Sequence, residues 1–315
     1  MSIGRLQRQL SPLARFVLEY AGILFCVITA SILYYLTSSI SCPATKSAEH
    51  CDSLEFWLWV ILLEIAINLY CFHHFSSNNC VSFWQRVSCV ADLCRHSDEI
   101  EDFVRYEGEE QNSCTPDAKF CVDCNRRAPI RSHHCYMCNI CVLRKDHHCF
   151  ITGACVGLGN QRYFIVFNFW SMIGAGLCSW YILDYLNFAV MPWYPFGWAH
   201  FIAPVAVVKW VLGKEFLLNA LICVAFSFGV ASCVASMAFF AIQVFYTCHG
   251  YTMYEYHSLG IREEFDGDGR TINERFRLVF GPWWTLNFLV PCPWIHQRLT
   301  PEIANNLFRV RSKLL

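Results

Sequence analysis

Charged residues are scarce in this 315-residue sequence: Asp, Glu, Lys and Arg make up 16% of it, whereas 55% of its residues are hydrophobic. Soluble domains carry about 25% charged residues, so this composition indicates a membrane protein. The net charge of −1 gives no overall attraction for nucleic acid, and we expect no nucleic-acid partner. The sequence also lacks internal repeats and any Asn-x-Ser/Thr glycosylation acceptor.

Lysine and arginine are absent from four apolar runs, each long enough to cross a bilayer core of about 30 Å. The runs span residues 16–38, 54–75, 163–190 and 216–246. A weaker run, 200–213, contains Lys209, and we expect it to lie at the membrane interface. Glu64 is the one charge near the centre of a run, which argues against a transporter or channel.

The basic residues outside these runs are distributed unevenly. Of the 24, ten lie in 76–162, three in the N-terminal tail and eight in the C-terminal tail. The positive-inside rule therefore predicts that both termini and the central loop are cytosolic. A signal peptide is the alternative for the first run, although more than about 20 apolar residues is too long for a typical signal sequence.

The predicted organisation has four parts. They are an N-terminal tail with two spans (1–75), a cytosolic linker with a cysteine-rich module (76–162), two further spans (163–246) and a cytosolic tail (247–315). The acidic stretch 97–110 is expected to be a solvated linker. Cys42 and Cys51 fall on the opposite, oxidising side of the membrane, and we predict a disulfide between them.

The window from Cys121 to Cys155 has few large apolar residues and cannot fold on a core of its own. It contains seven cysteines and four histidines among 35 residues. In reducing cytosol, clustered cysteines indicate metal binding or catalysis rather than disulfides. The spacing C-x2-C-x9-H-C-x2-C-x2-C-x6-H-x6-C supplies eight ligands, enough for two Cys3His zinc sites.

This count uses six cysteines and one histidine from each of the two His-His pairs, and spacing alone does not assign a sulfur to an ion. The sulfur ligands are Cys121, Cys124, Cys135, Cys138, Cys141 and Cys155. Cys149 and Asp146 are left over, with one histidine of each pair. A thiol beside a histidine that an aspartate orients has the parts of a nucleophile. The alternative is that Cys149 is one more ligand of an irregular cluster.

Asp146-His147-His148-Cys149 is the signature of the DHHC protein S-acyltransferases. The sequence from Cys121 to Asn160 resembles the cysteine-rich domain of that family, and the segment Thr252–Glu255 resembles its Thr-Thr-x-Glu motif after the last span. The resemblance covers most of the chain. It implies an α-helical membrane protein with four transmembrane helices and a small cytosolic two-zinc module between helices 2 and 3.

The resemblance also implies a reaction. A fatty acyl group, expected to be palmitoyl, would pass from acyl-CoA through a Cys149 thioester to cysteines of membrane-apposed proteins. His147 would be the general base and Asp146 would orient it. Two structural zinc ions are implied, one on Cys121, Cys124, His134 and Cys141, the other on Cys135, Cys138, His148 and Cys155. The expected location is the endoplasmic reticulum or the Golgi.

Further residues have expected supporting roles. Thr252, Glu255 and Asn160 match motif positions of the family. The phosphates of CoA are expected to meet basic residues near the first cysteines, because arginine suits phosphate. These candidates are Arg126, Arg127 and Arg131, with His133 near the acyl-CoA site. In contrast, Asp266-Gly267-Asp268-Gly269 has the composition of a turn and is given no role in the site.

Three departures make this a divergent member of the family. Phe150-Ile151 stand in place of Pro-Trp, Ala154 in place of Asn, and Met253 in place of the second Thr. The alternative function is therefore a catalytically weak or inactive zinc-stapled membrane adaptor. A RING-type ubiquitin ligase also binds two zinc ions, but its second site normally ends in a C-x2-C pair, whereas here the last ligands are His148 and Cys155.

Overall fold

The computed structural model describes residues 12–76, 119–129 and 131–258, together with residues 260, 262, 265, 267–290, 292 and 307. The acidic linker 97–110 lies outside the described residues. Within them the chain divides into two compact units. One is formed by residues 21–68 and 165–241, and the other by residues 1–20, 69–164 and 242–315.

Four long apolar helices confirm the four expected spans, with lengths of 26, 27, 29 and 33 residues. Helix α1 (Pro12–Tyr35) continues through a π-helical turn (Leu36–Ser41) into the short α2 (Cys42–Thr45). The other three long helices are α3 (Ala48–His74), α4 (Gln161–Ala189) and α6 (Leu217–His249). Helix α3 begins six residues before the apolar run 54–75. Its first turn is polar, so the apolar pattern alone did not predict it.

The weaker run after α4 forms two short helices. They are a 3-10 helix (Gly197–Phe201) and α5 (Ala203–Val211), which carries Lys209 in its last turn. The interfacial position expected for this run stays a prediction.

The unit 21–68 with 165–241 is held by apolar side chains and close helix contacts. Ile182 and Leu186 are fully buried in its core. A Cβ at Gly174 would lie 2.9 Å from Ile61 Cγ2, and one at Gly229 would lie 2.6 Å from Ser179 Oγ. Glycine at these two positions therefore lets the helices approach, as small residues do in membrane bundles.

One end of this unit carries the predicted disulfide. Cys42 and Cys51 are bonded, with their Cα atoms 5.8 Å apart, which confirms that prediction. Nearby, Lys46 Nζ lies 2.9 Å from Asp184 Oδ2. Glu64 is also paired, since Asn68 Nδ2 donates to its Oε2 at 3.3 Å.

The other unit contains the cysteine-rich module, which is built from three antiparallel β-hairpins. The first pairs β1 (Lys119–Cys121) with β2 (Arg126–Ala128), and the second pairs β3 (His133–Cys135) with β4 (Ile140–Val142). The third pairs β5 (His147–Cys149) with β6 (Ala154–Val156). Each strand has three residues, so hairpin pairing alone leaves the module with little to stabilise it.

The first two hairpins turn directly after a cysteine pair. Asn125 follows Cys124 with φ 48°, and Asn139 follows Cys138 with φ 52°. Asparagine tolerates this left-handed conformation better than most residues. The turns hold the two sulfurs of each C-x2-C pair on the same side, where a metal ion can bind both.

Among the described residues of the same unit, three short helices follow the last span. Helix α7 (Met253–His257) begins with a capping box, in which Thr252 accepts from the Glu255 backbone and the Glu255 side chain accepts from Thr252. Helix α8 (Ile272–Phe280) has the same cap from Thr271 and Glu274, and α9 (Trp284–Leu289) follows it. Such reciprocal caps satisfy backbone N–H groups that a helix start leaves unbonded.

Candidate active site and metal centres

Two groups of four ligand side chains form in the module. In each, all four ligand atoms lie within 4.8 Å of one another. The first group is Cys121, Cys124, His134 and Cys141, and the second is Cys135, Cys138, His148 and Cys155. The structure thus forms the two Cys3His groups that the family resemblance implied.

The spacing within the groups fits zinc. His134 Nδ1 lies 3.3 Å from the sulfur of Cys124, and His148 Nδ1 lies 3.4 Å from that of Cys138. Zinc bonds of about 2.3 Å to sulfur and 2.0–2.1 Å to nitrogen place tetrahedral neighbours about 3.5–3.8 Å apart. Burial and the neighbouring sulfurs raise the pKa of Cys141, so three thiolates at one site require a cation to balance them.

Strand geometry explains how two adjacent residues serve different ions. In the second hairpin His134 pairs directly with Cys141, so the two side chains share one face and enter the first group. Cys135, the next residue, faces the other way and enters the second group. In the third hairpin His148 pairs with Cys155 in the same manner.

The same alternation isolates Cys149 from the metal ligands. His147 and Cys149 flank His148 on strand β5, so both lie on the face opposite to the ligand. Cys149 belongs to neither ligand group and is buried, with 6% of its surface exposed. The His147 ring packs edge-on against Phe164, with ring centres 5.3 Å apart.

His147 lies between Asp146 and the Cys149 thiol. Its Nδ1 is 2.7 Å from Asp146 Oδ2, which leaves Nε2 for the thiol. Burial disfavours the charged ring, but the Asp146 carboxylate and the neighbouring Cys149 sulfur raise the pKa of His147 to about 9. Burial likewise opposes ionisation of Cys149, but the neighbouring His147 and Thr152 lower the pKa of that thiol below its ordinary value. The arrangement therefore favours a thiolate paired with an imidazolium.

Asp146 is itself fixed by three donors and is 1% exposed. His147 and Gln243 both donate to its Oδ2, and Gln243 Nε2 lies at 2.6 Å. The backbone N–H of Met253 donates to Oδ1. A base held by a buried carboxylate beside an isolated thiol is suited to nucleophilic acyl transfer.

Residues 115–259 match the family model described as DHHC palmitoyltransferase. This segment belongs to the DHHC palmitoyltransferase family. A search among curated proteins found no match. Membership in the family implies protein S-acyltransferase activity in general terms, together with acyl-CoA and protein substrates. The four long apolar helices make the chain a multi-pass membrane protein.

Within the DHHC domain, Arg131 has a different position from the one expected. It is fully buried, and it donates to both Glu255 oxygens, at 2.5 and 2.6 Å, and to Asp268 Oδ1 at 2.8 Å. A phosphate could reach this guanidinium only by displacing two buried carboxylates. The expectation that Arg131 binds CoA is therefore corrected: the residue ties the module to the segment after the last span.

The other residues expected to contact CoA remain candidates. Arg126 and Arg127 lie in strand β2, but their side chains fall outside the described part of the structure. His133 is half-buried, and its ring centre lies 4.1 Å from that of Tyr254.

Asn160 forms hydrogen bonds with backbone groups in the DHHC domain, and Glu255 both caps a helix and pairs with a buried arginine. Asn160 Oδ1 accepts from Gly157 N at 3.0 Å, and its Nδ2 donates to the carbonyl oxygens of Phe72 and Cys155. Asn160 thus joins the last ligand strand to the end of α3. Glu255 caps α7 and pairs with Arg131 through the same carboxylate.

The three departures from the family pattern leave these contacts in place. Met253 donates to Asp146 through its backbone N–H, which a threonine there would offer equally. Ala154 is the cross-strand partner of Cys149 and is buried. Phe150 and Ile151 are 50% and 40% exposed, and the Phe150 ring lies 5.0 Å from that of His148.

Several site residues were not identified from the sequence. Gln243 contacts Asp146 from a position 97 residues away, and Asp268 pairs with Arg131 and Arg144 from a segment that resembled an ordinary turn. Thr152, close to Cys149, contributes to the lowered pKa of that thiol. For Gln243, the sequence does contain a signal: it is a polar glutamine inside the apolar run 216–246.

Proposed function

We propose that the protein is a protein S-acyltransferase that carries a fatty acyl group, palmitoyl in the first instance, on Cys149. It would take that group from acyl-CoA and pass it to cysteines of membrane-associated proteins. The observation that carries the proposal is the position of Cys149, which lies outside both ligand groups and beside a histidine that Asp146 holds.

The proposed first half-reaction follows from this geometry. The S–H bond of Cys149 breaks, His147 Nε2 takes the proton, and the sulfur attacks the thioester carbonyl of acyl-CoA. The bond between the acyl carbon and the CoA sulfur then breaks. The departing CoA thiolate takes the proton from the His147 imidazolium, which restores the neutral base.

The second half-reaction reverses the roles. A cysteine thiol of the substrate protein loses its proton to His147 and attacks the acyl carbon on Cys149. The bond from that carbon to the Cys149 sulfur breaks, and the imidazolium reprotonates Cys149. Asp146 favours both steps because its carboxylate keeps the Nδ1 proton in place and stabilises the charged ring.

Zinc has a structural part in this proposal. When bound, the two ions supply cross-links between hairpins, and the acyl group never needs to contact them. The eight ligand residues fit this role because both sites are closed by four protein donors. We propose that Arg126 and Arg127 bind the CoA phosphates and that His133 lies near the acyl-CoA, on the cytosolic side of an endoplasmic reticulum or Golgi membrane.

Intact-mass analysis of the purified protein with palmitoyl-CoA tests the proposal. We expect one added palmitoyl group, removed by neutral hydroxylamine, which cleaves thioesters. Peptide mapping should place the group on Cys149. A protein with two zinc ions that takes up no hydroxylamine-labile group would instead be the inactive membrane adaptor.

A further inference from the structure

We propose that Gln161 and Gln243 are positioning residues for Asp146. Arg144 Nη1 donates to Gln161 Oε1 at 2.5 Å, Gln161 Nε2 donates to Gln243 Oε1 at 3.0 Å, and Gln243 Nε2 donates to Asp146 Oδ2 at 2.6 Å. We call the two amides the glutamine bridge. The inference rests on the proposed function, because its effect on catalysis passes through Asp146 and His147.

The glutamine bridge can run in only one direction. A guanidinium donates and never accepts, so Gln161 must turn its oxygen toward Arg144 and its NH₂ group toward Gln243. An ionised carboxylate only accepts, so Gln243 must turn its NH₂ group toward Asp146. The two ends require the same orientation of both amides, and the hydrogen-bond chemistry therefore settles their assignment.

All four side chains of this hydrogen-bonded series are shielded from water. Arg144 is fully buried, and Gln161, Gln243 and Asp146 are each 1% exposed. A buried donor or acceptor without a partner costs about 1–3 kcal/mol, so neither amide can rotate away cheaply. Asp268 fixes the arginine at the other end of this hydrogen-bonded series, since Arg144 Nε donates to its Oδ1 at 2.9 Å.

The bridge has a direct consequence for the acid–base pair. Gln243 and His147 share Asp146 Oδ2, while the Met253 backbone holds Oδ1. Without Gln243, the carboxylate can turn about its χ2 axis and weaken its bond to His147 Nδ1. The ring would then lose its orientation toward Cys149, although the zinc ligands are unaffected.

The decisive variants replace each glutamine with methionine, which is unbranched and of similar length but cannot donate. Thr247→Val is the matched control, because Thr247 lies one turn further along α6, is buried, and donates to the Gln243 backbone carbonyl rather than to its side chain. We expect Gln243→Met to slow Cys149 acylation by about 10–100-fold, the usual cost of losing an outer partner. The KM for palmitoyl-CoA and the zinc content should stay at wild-type values, whereas the Tm should fall because Gln161 Nε2 loses its acceptor.

A double-mutant cycle tests whether the bridge acts as a unit. Gln161→Met should slow acylation less than Gln243→Met, and the double variant should be no slower than Gln243→Met alone. If Gln243→Met fails to fold, Gln161→Met tests the positioning role instead, because it interrupts the same series of hydrogen bonds without removing a contact of Asp146. Additive losses, a wild-type rate in Gln243→Met, or an equal loss in Thr247→Val would each overturn the inference.

Alkylation of Cys149 separates this inference from the proposed function. Iodoacetamide needs no acyl-CoA, and peptide mapping reports its reaction at Cys149 alone. Gln243→Met should slow this alkylation while Thr247→Val leaves it unchanged. If the wild type accepts no acyl group but shows this pattern, the proposed function fails and the positioning role stands. Equal alkylation in all variants would refute the positioning role, whatever the acylation result.

Discussion

At the scale of single residues, two neighbouring histidines of strand β5 have opposite tasks. His148 faces Cys155 and completes a ligand group, whereas His147 faces Asp146 and the Cys149 thiol. A strand alternates its side chains between two faces, so the adjacent strand residues His147 and His148 point to different sites. The sequence order Asp-His-His-Cys is thus a consequence of placing a base and a nucleophile on one face and a metal ligand on the other.

The two histidines should therefore differ sharply when each is replaced by alanine. We expect His147→Ala to keep two zinc ions and to acylate about 10²–10⁴-fold more slowly, the typical cost of losing a general base. His148→Ala should lose one zinc ion and lose acylation with it. Zinc analysis and single-turnover acylation measure the two effects. Zinc loss in His147→Ala would contradict this division of tasks.

Arg131 provides a second test at this scale. Arg131→Met would leave Glu255 and Asp268 as buried carboxylates without that partner, a change that typically costs about 3–5 kcal/mol. We expect a large fall in Tm, while Arg270→Met, at an exposed position, should have little effect. A folded Arg131→Met with normal Tm and a raised KM for acyl-CoA would restore the original phosphate role.

At the scale of elements, the two ligand groups link the three hairpins in series. The first group takes two cysteines from the first hairpin and two ligands from the second, and the second group takes two cysteines from the second hairpin and two ligands from the third. One buried apolar cluster of this module is small and consists of Cys135, Met137, Val142 and Cys155. Metal binding must therefore supply the stability that such a small core cannot.

Because the hairpins are linked in this order, replacing ligands of the two groups should affect zinc content and acylation differently. Cys121→Ala should release one zinc ion and free the first hairpin, but leave the second group and some acylation. Cys155→Ala should release the other ion and abolish acylation, because Cys155 and Cys149 share the third hairpin. Elemental analysis of the wild type should give about two zinc ions per chain. Loss of both ions in Cys121→Ala would show that the groups do not form independently.

At the scale of the whole molecule, the distribution of cysteines agrees with a chain that has two chemical environments. The disulfide Cys42–Cys51 lies between the first two spans, and the metal-binding cysteines lie between the second and third. Disulfides persist in oxidising compartments, whereas thiolate metal sites need reduced cysteines. An odd number of spans separates these two segments from each other, so they are expected on opposite sides of the membrane.

Sealed microsomes test this topology. We expect protease to remove an epitope tag from the C-terminus, because the positive-inside rule places that terminus in the cytosol. Cys42 and Cys51 should react with an impermeant maleimide only after both permeabilisation and reduction. Protection of the segment from Cys121 to Cys155 against protease would reverse the orientation.

The parts of this protein that sequence predicts well are those fixed by local spacing. The number of ligands follows from the C-x2-C spacing over 35 residues and the spans follow from apolar runs, whereas the assignment of ligands to two groups came from the family resemblance. Gln243 and Asp268 could not be found in this way, because their partners lie about a hundred residues away. Arg131 was misjudged for the same reason, since two distant carboxylates rather than nearby residues determine its burial.

The central claim is that Cys149 is the nucleophile and not a metal ligand. The most direct test measures zinc content and hydroxylamine-labile palmitoyl uptake on the same preparation of Cys149→Ser. A serine hydroxyl is far less acidic than a thiol, so an imidazole cannot usefully ionise it. The account predicts two zinc ions, a wild-type Tm and no labile acyl group. Loss of zinc from Cys149→Ser, or labile acylation that persists in it, would contradict the account.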